Sequence, residues 1–385
     1  MKPIKLLYCL PSLHLVGGME KVLTIKANYF AEKLGYQVTI VLTDGIGKRP
    51  FFKLSKLIEV INLNINFENI RKYPIFLKIP LYSIKQLLFK RKLNKLLLNR
   101  RPDITISMLR REINFITKIR DGSKKIGEMH FNKAHYRDFG TKGKYKGIKG
   151  FLAKTWMMQL IKNLRKVDSF VVLSYEDMEK WTELSNLKVI YNPIEKMPER
   201  SSDCSSKQVL AAGRFVHQKG YDMLLQSWEI VSAKHPDWVL HIYGGGNQQS
   251  IIDIIQHKHL SHSCFLHNAV TDLTEPMCNS SIFALSSRFE GFSLALTEAM
   301  SYGLPPVAFA CPCGPTDLIE PNSNGILVAP NNIVEFANKL CYLIENENVR
   351  VEMGRKAREK AKKYTIDNIA LEWDKLFKTL ITPQS

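Results

Sequence analysis

The feature that most constrains the fold is a series of four elements that occurs in both halves of the chain: a short apolar run, a glycine turn, a helical stretch and a second apolar run. In the first half, these elements are predicted at residues 4–10, 16–18, 19–34 and 38–42. In the second half, they are predicted at residues 208–212, 213–220, 221–234 and 238–243. A strand–helix–strand unit implies parallel strands whose two faces are covered by helices. The chain is therefore predicted to contain two doubly wound α/β domains.

The domain limits are predicted from length and from a polar linker. The 385 residues fit two domains of about 100–200 residues each. Residues 196–207 are polar and rich in chain breakers, which is typical of a linker. We therefore predict a first domain at 1–195 and a second domain at 196–365. The final segment, 366–385, is expected to be helical because its apolar residues fall on one side of a helix.

Basic side chains are concentrated in the first half. Residues 1–195 hold 37 Lys and Arg against 16 Asp and Glu, whereas residues 196–385 hold 18 against 20. Residues 71–101 carry ten basic and no acidic side chains, and residues 141–167 carry eight and none. In both stretches, large apolar residues are interleaved with the basic ones. A solvated helix face is the usual explanation of a charge run, but basic amphipathic helices on an anionic membrane surface fit both stretches.

The apolar pattern and the cysteines favour a cytoplasmic protein. No run of about 18 apolar residues is present, so no membrane-spanning helix is expected, and the N-terminal apolar stretch is too short for a signal peptide. The seven cysteines are an odd and scattered set, which favours a reduced compartment. Cys311 and Cys313 lack a second ligand pair at zinc spacing, so no metal site is expected. We therefore expect a cytoplasmic protein that is peripheral on the inner face of the plasma membrane.

The loop 213–220, between a predicted strand and a predicted helix, carries residues suited to binding a diphosphate. Arg214 and Lys219 lie in it between Gly213 and Gly220. Glycines let a backbone approach a ligand closely, and the following helix offers free N–H groups to an anion. An Arg and a Lys in this loop would clamp a diphosphate. A surface ion pair explains the same residues, and the loop alone does not decide between the two.

A second segment, residues 286–303, carries two carboxylates around the start of a predicted helix. Glu290 precedes the helix, Glu298 lies within it, and Ser293 is predicted to cap it. Such carboxylates can accept hydrogen bonds from sugar hydroxyls. The alternatives are an ordinary turn residue for Glu290 and an exposed helix residue for Glu298.

The two glutamates are eight positions apart in Phe-Glu-Gly-Phe-Ser-Leu-Ala-Leu-Thr-Glu-Ala-Met, residues 289–300. This segment resembles the E-x7-E motif of the retaining glycosyltransferases of family 4. Other segments resemble that family's motifs in the same order along the chain, at residues 17–20, 127–130, 213–220 and 324–328. The resemblance extends from about residue 3 to residue 364. It implies a GT-B fold, in which two Rossmann-like domains face each other across a cleft and the C-terminal helix crosses back to the first domain.

The resemblance also implies a role for each matching residue. It implies catalytic roles for Arg214, Lys219, His130 and Glu290. It implies donor binding by Gly17, Gly18, Gly213, Gly291, Phe292, Ser293 and Glu298, and acceptor binding by Glu20. Arg214 and Lys219 would neutralise the departing diphosphate, and His130 would be the active-site histidine of the first domain. Glu298 would hold the ribose hydroxyls, and Glu290 would contact the donor sugar near its 3- and 4-hydroxyls.

The expected chemistry needs no metal ion. The charge that develops on the leaving diphosphate is met directly by Arg, Lys and backbone N–H groups, and the sequence contains no Asp-x-Asp motif. The resemblance implies retention by front-face attack, without Glu290 as a covalent nucleophile. Residues 311–319 resemble the C-P-x-G-P-x-E-I-I segment of glycan-assembly members that use UDP-sugars, with Asp317 in place of the Glu. A UDP-hexose or UDP-N-acetylhexosamine donor is therefore favoured.

The acceptor is expected on the basic first domain, as a saccharide or a glycan linked to a polyprenyl diphosphate, in surface polysaccharide or glycan assembly. Another enzyme on the same fold, such as a nucleotide-sugar epimerase or a soluble disaccharide or glycogen synthase, is an open alternative. The net charge of +19 also fits a nucleic-acid-binding protein. The sequence lacks zinc-finger cysteines, an RNP-type aromatic pattern and an evident helix-turn-helix, so no nucleic-acid partner is expected.

Overall fold

The computed structural model describes residues 2–15, 17–138 and 147–382. The chain divides into two compact units: unit 1 comprises Met1–Tyr191 and Ile369–Ser385, and unit 2 comprises Asn192–Asn368. The predicted limits after residues 195 and 365 lie within four residues of these divisions. Each unit is built on a parallel sheet covered by helices, which confirms the prediction of two Rossmann-like α/β domains.

Unit 1 contains a seven-stranded sheet with the order β3-β2-β1-β4-β5-β6-β7, in which every neighbouring pair is parallel. The strands are β1 (Lys5–Leu10), β2 (Gln37–Leu42), β3 (Glu59–Asn62), β4 (Ile104–Ser107), β5 (Lys124–Glu128), β6 (Ser169–Val172) and β7 (Leu187–Val189). The helices between them are α1 (Gly18–Glu32), α2 (Ile75–Arg100), α3 (Gly147–Leu164) and α4 (Tyr175–Lys180). The strand order reverses between β1 and β4, which is where doubly wound sheets bind ligands.

Helix α2 has two different faces. Phe89, Leu93 and Leu97 recur at a spacing of four residues and are fully buried in the core of unit 1, as an amphipathic helix requires. Large apolar side chains elsewhere on the helix are exposed, among them Phe76 and Ile79 near its start and Ile84 on the face opposite Leu93. Of the second basic stretch, 141–167, residues 141–146 lie outside the described residues, and the rest includes α3.

Unit 2 contains a six-stranded parallel sheet with the order β10-β9-β8-β11-β12-β13. The strands are β8 (Gln208–Ala212), β9 (Val239–Gly244), β10 (Cys264–Asn268), β11 (Ile282–Leu285), β12 (Pro306–Phe309) and β13 (Ile326–Val328). The helices are α5 (Tyr221–Lys234), α6 (Gln249–His257), α7 (Thr274–Cys278), α8 (Leu294–Ser301), α9 (Pro315–Leu318), α10 (Ile333–Glu345) and α11 (Glu347–Ala361). The order reverses between β8 and β11, and their carboxyl ends lead into the two segments that carry the predicted donor-binding residues.

The last helix, α12 (Ile366–Ile381), starts in unit 2 and continues in unit 1. Its unit 1 part is buried through Trp373 and Phe377. The ring centroids of Phe377 and Phe30 of α1 are 5.5 Å apart. In unit 2, the two segments that lead towards unit 1 are paired, because the Ile194 N–H donates to the Tyr364 carbonyl over 2.8 Å.

No helix within the described ranges is long and apolar enough to cross a lipid bilayer. The elements predicted for both strand–helix–strand units are confirmed, with boundaries shifted by no more than two residues, at 5–10, 18–32 and 37–42 in unit 1 and at 208–212, 221–234 and 239–244 in unit 2.

Candidate active site

The loop after β8 depends on two glycines. Gly213 and Gly220 both have positive φ angles, of 155° and 63°. A Cβ atom on Gly213 would lie 2.9 Å from Cε of Lys219, and one on Gly220 would lie 2.2 Å from the Ser286 carbonyl oxygen. These close approaches let the lysine fold back over the loop and let the loop pack on the segment after β11. The glycines therefore position Lys219.

Lys219 and Glu290 form a nearly buried ion pair. The Lys219 Nζ–Glu290 Oε1 distance is 2.7 Å, and the two side chains are 15 % and 5 % exposed. The Ser287 hydroxyl donates to the same oxygen over 2.6 Å. Two predicted catalytic residues, 71 positions apart, thus meet where the strand order reverses. Arg214, in the same loop, is exposed, and its side chain makes no ion pair within the described part of the chain.

The segment after β12 packs against Glu290. The Glu290 N–H donates to the Pro312 carbonyl over 3.2 Å, and Gly314, at φ 121°, lies against the Cβ atom of Glu290. Burial and the nearby Glu290 carboxylate raise the pKa of the Cys311 thiol well above its usual value. The same two causes raise the pKa of the Tyr221 hydroxyl. Both groups are therefore uncharged at neutral pH beside a carboxylate that is already paired.

Helix α8 begins after Gly291, Phe292 and Ser293, as predicted, but the predicted side-chain cap is wrong. Ser293 is the N-cap residue at φ −84° and ψ 87°, and its side chain makes no capping hydrogen bond. This ψ lies outside the extended region that aims an N-cap oxygen at the first turn. The Ser293 hydroxyl is buried without a hydrogen-bond partner among the described residues. Glu298 is half-buried in the fifth position of the helix.

In unit 1, helix α1 begins directly at the predicted glycine turn. Its N-cap residue is Gly17, which has no side chain that could make a capping hydrogen bond. A Cβ atom on Gly17 would overlap the carboxylate of Glu20, whereas one on Gly18 would meet no atom within 4 Å. The structure therefore brings Gly17 and the buried Glu20 together and leaves open space at Gly18.

His130 follows β5, and its side chain contacts two residues that the sequence analysis missed. Its Nε2 atom lies 3.0 Å from Oε1 of Glu128, and both side chains are buried. The same oxygen forms an ion pair with Lys26 of α1. Residues two apart along a strand project to the same side, so the placement of Glu128 before His130 was a signal available in the sequence. The partner Lys26, 102 positions away, was not.

Arg110, which follows β4, was also missed. Its Nη2 atom lies 3.7 Å from the sulfur of Met19 in the first turn of α1. Its guanidinium lies 5.4 Å from the ring centroid of Phe131, next to His130. Arg110 thus connects the glycine turn and the histidine segment within unit 1. In the ranges that the structure describes, no three His, Cys, Asp or Glu side chains are grouped so that they would hold a metal ion.

Three comparisons give related proteins. Residues 194–360 match the family model described as glycosyl transferases group 1. An uncharacterized glycosyltransferase of Haemophilus influenzae is 30 % identical over 371 residues, which cover 93 % of this chain and 95 % of that protein. A Staphylococcus aureus poly(ribitol-phosphate) alpha-N-acetylglucosaminyltransferase is 30 % identical over 260 residues, which cover 66 % of this chain and 51 % of that protein.

Among solved structures, an S. aureus TarM mutant in complex with fondaparinux, alpha-GlcNAc-glycerol and UDP has a similar fold. The TM-score is 0.78 at 20 % identity, and the match covers 97 % of this chain and 99 % of that one.

Proposed function

This chain belongs to the group 1 glycosyltransferases of GT-B fold, and on that premise we propose a specific reaction for it. It transfers a hexose or N-acetylhexosamine from a nucleotide sugar to a saccharide acceptor, with retention of configuration and without a metal ion. The observation that carries this proposal is the Lys219–Glu290 pair at the reversal of the strand order in unit 2. The S. aureus relative is named as an alpha-N-acetylglucosaminyltransferase, which describes an α-linked product. With a donor whose sugar is also α-linked to the nucleotide, such a product means that the configuration is retained.

Lys219, Arg214 and the start of α8 act on the leaving diphosphate. As the bond from the anomeric carbon to the phosphate oxygen breaks, negative charge grows on the phosphate. Lysine and arginine side chains stabilise that charge. The absence of a side-chain cap on α8 leaves first-turn N–H groups for a phosphate oxygen. The acceptor oxygen bonds to the anomeric carbon on the same face, and the departing phosphate takes its proton.

Glu290 binds the donor sugar and is not a covalent nucleophile. Its Oε1 atom already receives the Lys219 ammonium and the Ser287 hydroxyl. A carboxylate engaged in this way is a weak nucleophile, but a carboxylate can accept several hydrogen bonds, here from the 3- and 4-hydroxyls of a hexose. The ion pair also holds Lys219 in place before the donor arrives, so little reorganisation is needed in the transition state.

We test the donor assignment first by thermal shift with UDP, GDP, ADP and CMP at equal concentration, without metal. A ligand that binds the folded state raises the melting temperature by mass action. We expect a shift with UDP that is lost in Glu298→Ala, because that carboxylate holds the ribose. UDP in the TarM complex supports this expectation. A shift with GDP alone would contradict the nucleotide assignment, and no shift with any nucleotide would contradict the site.

The roles of Arg214 and Lys219 at the leaving diphosphate are tested by measuring the rate of UDP release. Arg214→Ala and Lys219→Ala each remove leaving-group stabilisation, and we expect UDP release from UDP-glucose or UDP-N-acetylglucosamine to slow by about 10²–10³-fold. Lys207→Ala is the matched control, because Lys207 forms an exposed ion pair with Asp237 just before β8. EDTA should leave the rate unchanged. Near-wild-type rates in both clamp variants, or loss of activity with EDTA, would overturn the assignment.

In this proposal, helix α2 of unit 1 binds the membrane surface that carries the acceptor. Phe76 and Ile79 are 71 % and 69 % exposed, and Lys90, Arg91 and Lys95 are exposed further along the same helix. Exposed apolar groups beside basic groups suit insertion into an anionic lipid surface. Phe151 of α3, in the second basic stretch, is also exposed. The acceptor would be a saccharide on a polyprenyl diphosphate at the cytoplasmic face, used in polysaccharide or glycan assembly.

Vesicle sedimentation tests the membrane surface. The full chain should sediment with vesicles that contain an anionic phospholipid, and less at high salt. It should not sediment with neutral vesicles. Phe76→Ser/Ile79→Ser should abolish sedimentation, whereas Leu57→Ser, which changes an equally exposed apolar residue of unit 1, should not. Failure of the wild type to bind anionic vesicles at low salt would overturn this part of the proposal and leave the reaction unaffected.

A further inference from the structure

A buried ionic network lies behind His130 in unit 1, and we call Lys26, Glu128 and His130 the histidine network. The Lys26 and Glu128 side chains are each 1 % exposed, and the His130 side chain is 5 % exposed. Lys26 comes from α1, the helix whose N-cap residue is Gly17, and Glu128 is the last residue of β5. The network therefore links α1, the helix that follows the predicted donor turn, to the predicted active-site histidine through the Lys26–Glu128 ion pair and the Glu128–His130 contact.

Two aromatic rings enclose the lysine end of the network. The Lys26 ammonium lies 4.3 Å from the ring centroid of Trp373 on α12 and 5.9 Å from that of Tyr8 on β1. Both rings are fully buried. Water is therefore excluded from the ion pair, and removing two charges from water is expensive. Apolar side chains of similar volume would give comparable stability, so the ion pair needs an explanation other than stability.

Three polar atoms around the network have no hydrogen-bond partner among the described residues. They are the Tyr8 hydroxyl, Oε2 of Glu128 and Nε2 of His130, whose 3.0 Å contact with Oε1 of Glu128 is at ion-pair distance without hydrogen-bond geometry. A buried polar atom without a partner costs free energy, and folded proteins keep such atoms at catalytic or water-holding positions. Two of these atoms belong to the network itself, and the third, the Tyr8 hydroxyl, is near enough to Glu128 for that carboxylate to raise its pKa.

We propose that Glu128 is a positioning residue for His130, and that Lys26 holds the Glu128 carboxylate in its ionised form and in place. At 3.0 Å from Nε2, an ionised carboxylate favours the ring form that carries its proton on Nε2. The lone pair is then on Nδ1, and the ring orientation is fixed. This inference rests on the proposed role of His130 in the reaction.

The charge state of the network is consistent with this assignment. Burial raises the pKa of the Glu128 carboxyl, but the Lys26 ammonium and the His130 ring lower it by more, so that it lies at about 2. Burial lowers the pKa of Lys26, and the Glu128 carboxylate opposes that shift. The charged groups that face Glu128 come from α1 and from the His130 segment, and the Tyr8 hydroxyl on β1 is neutral because burial and Glu128 raise its pKa.

The test compares single and paired substitutions in the full-length chain. Glu128→Gln keeps the shape and removes the charge, and Glu128→Asp keeps the charge. Lys26→Met/Glu128→Met replaces the whole ion pair with apolar groups of similar size, so it removes the carboxylate without leaving a buried charge. His130→Ala is the reference for complete loss of the ring. The measurements are the melting temperature, UDP release from UDP-N-acetylglucosamine or UDP-glucose, and ¹⁵N NMR of histidine-labelled protein.

We expect Glu128→Gln and the double variant to lower kcat about 10- to 100-fold, as loss of a histidine-orienting partner does elsewhere, with KM for the donor unchanged. Glu128→Asp should restore part of the rate. The NMR signals that disappear in His130→Ala should show a proton on Nε2 in the wild type and a mixture of ring forms in the double variant.

Two outcomes separate this inference from the proposed function. If His130→Ala leaves kcat unchanged, the role proposed for the histidine is wrong and the inference falls with it. If His130→Ala is slow but the folded double variant keeps the wild-type kcat and ring form, the ion pair is only structural and the inference alone is wrong. The UDP thermal shift reports on unit 2 and should be retained in every variant of the network.

Discussion

Substitution of Gly220 tests how the loop 213–220, which carries Arg214 and Lys219, is held against the segment that carries Glu290. We call these two segments the donor clamp. Gly220 has φ 63° and ψ 30° at the junction of the clamp loop and α5. Lys219 precedes it directly, and a Cβ atom there would lie 2.2 Å from the backbone oxygen of Ser286, which leads into the Glu290 segment. Gly220→Ala should therefore separate the two segments that carry the ion pair.

The loss of unfolding free energy expected for Gly220→Ala has two parts. An alanine in the left-handed region costs about 1–2 kcal/mol. Relief of the clash requires the Ser286 carbonyl, at the end of β11, to move by about 1 Å, and overpacking of this kind costs about 1–3 kcal/mol. Gly35→Ala is a matched control, because Gly35 has φ 67° and its Cβ atom would meet nothing within 4 Å. The control should therefore lose only the first part.

The assay is urea unfolding of both variants, followed by the UDP thermal shift. We expect Gly220→Ala to lose about 1–3 kcal/mol more than Gly35→Ala and to bind UDP at least about tenfold more weakly, which corresponds to 1.4 kcal/mol of binding free energy. Gly35→Ala should bind UDP normally. Equal destabilisation and equal UDP binding in the two variants would refute the argument that Gly220 brings the clamp segments together.

Three further predictions concern buried groups. Because the pKa of Glu128 lies at about 2, below its usual 4.5, its stabilising contribution is complete above pH 4.5 and declines as the pH falls towards 2. Between pH 5 and pH 3 the wild type should lose about 2 kcal/mol of unfolding free energy more than Lys26→Met/Glu128→Met, and equal losses would contradict this. Trp373→Ala removes a fully buried ring and should cost about 3–5 kcal/mol in urea unfolding; a cost below 1 kcal/mol would mean that α12 is not packed as described. The Cys311 thiol, whose pKa is raised by burial and by Glu290, should resist iodoacetamide at neutral pH in the native protein and react in urea, as measured by mass spectrometry, and rapid native labelling would contradict its burial.

The first strand–helix–strand unit of each half was predictable because its signals are local. Apolar runs of five to seven residues, glycine turns and helical spacing can be read within about twenty residues of sequence. The meeting of Lys219 and Glu290 was predictable for a related reason. Both follow strands of one parallel sheet, and the carboxyl ends of such strands lie at the same edge.

The histidine network was not predictable in full, because its contacts join distant parts of the chain. Lys26 resembles an ordinary lysine on the outer side of a helix, and only the packing of α1 and α12 reveals that it is buried. Glu128 was marked by its position two residues before His130, but its charge state depends on Lys26. The cap at Ser293 was wrong for a different reason: the residue type favours capping, whereas the local backbone directs the hydroxyl elsewhere.

The division of α12 between the two units has a consequence for synthesis on the ribosome. Unit 1 holds the first 191 residues, yet its core includes Trp373 and Phe377 from the end of the chain. Unit 2 is contiguous from Asn192 to Asn368, so all of its residues have been made before the last segment of unit 1 is translated. Domains usually fold in the order in which they emerge. Here the unit that emerges first must wait with Lys26 and Phe30 uncovered, and a nascent chain that stops before Ile369 presents that surface to chaperones and proteases.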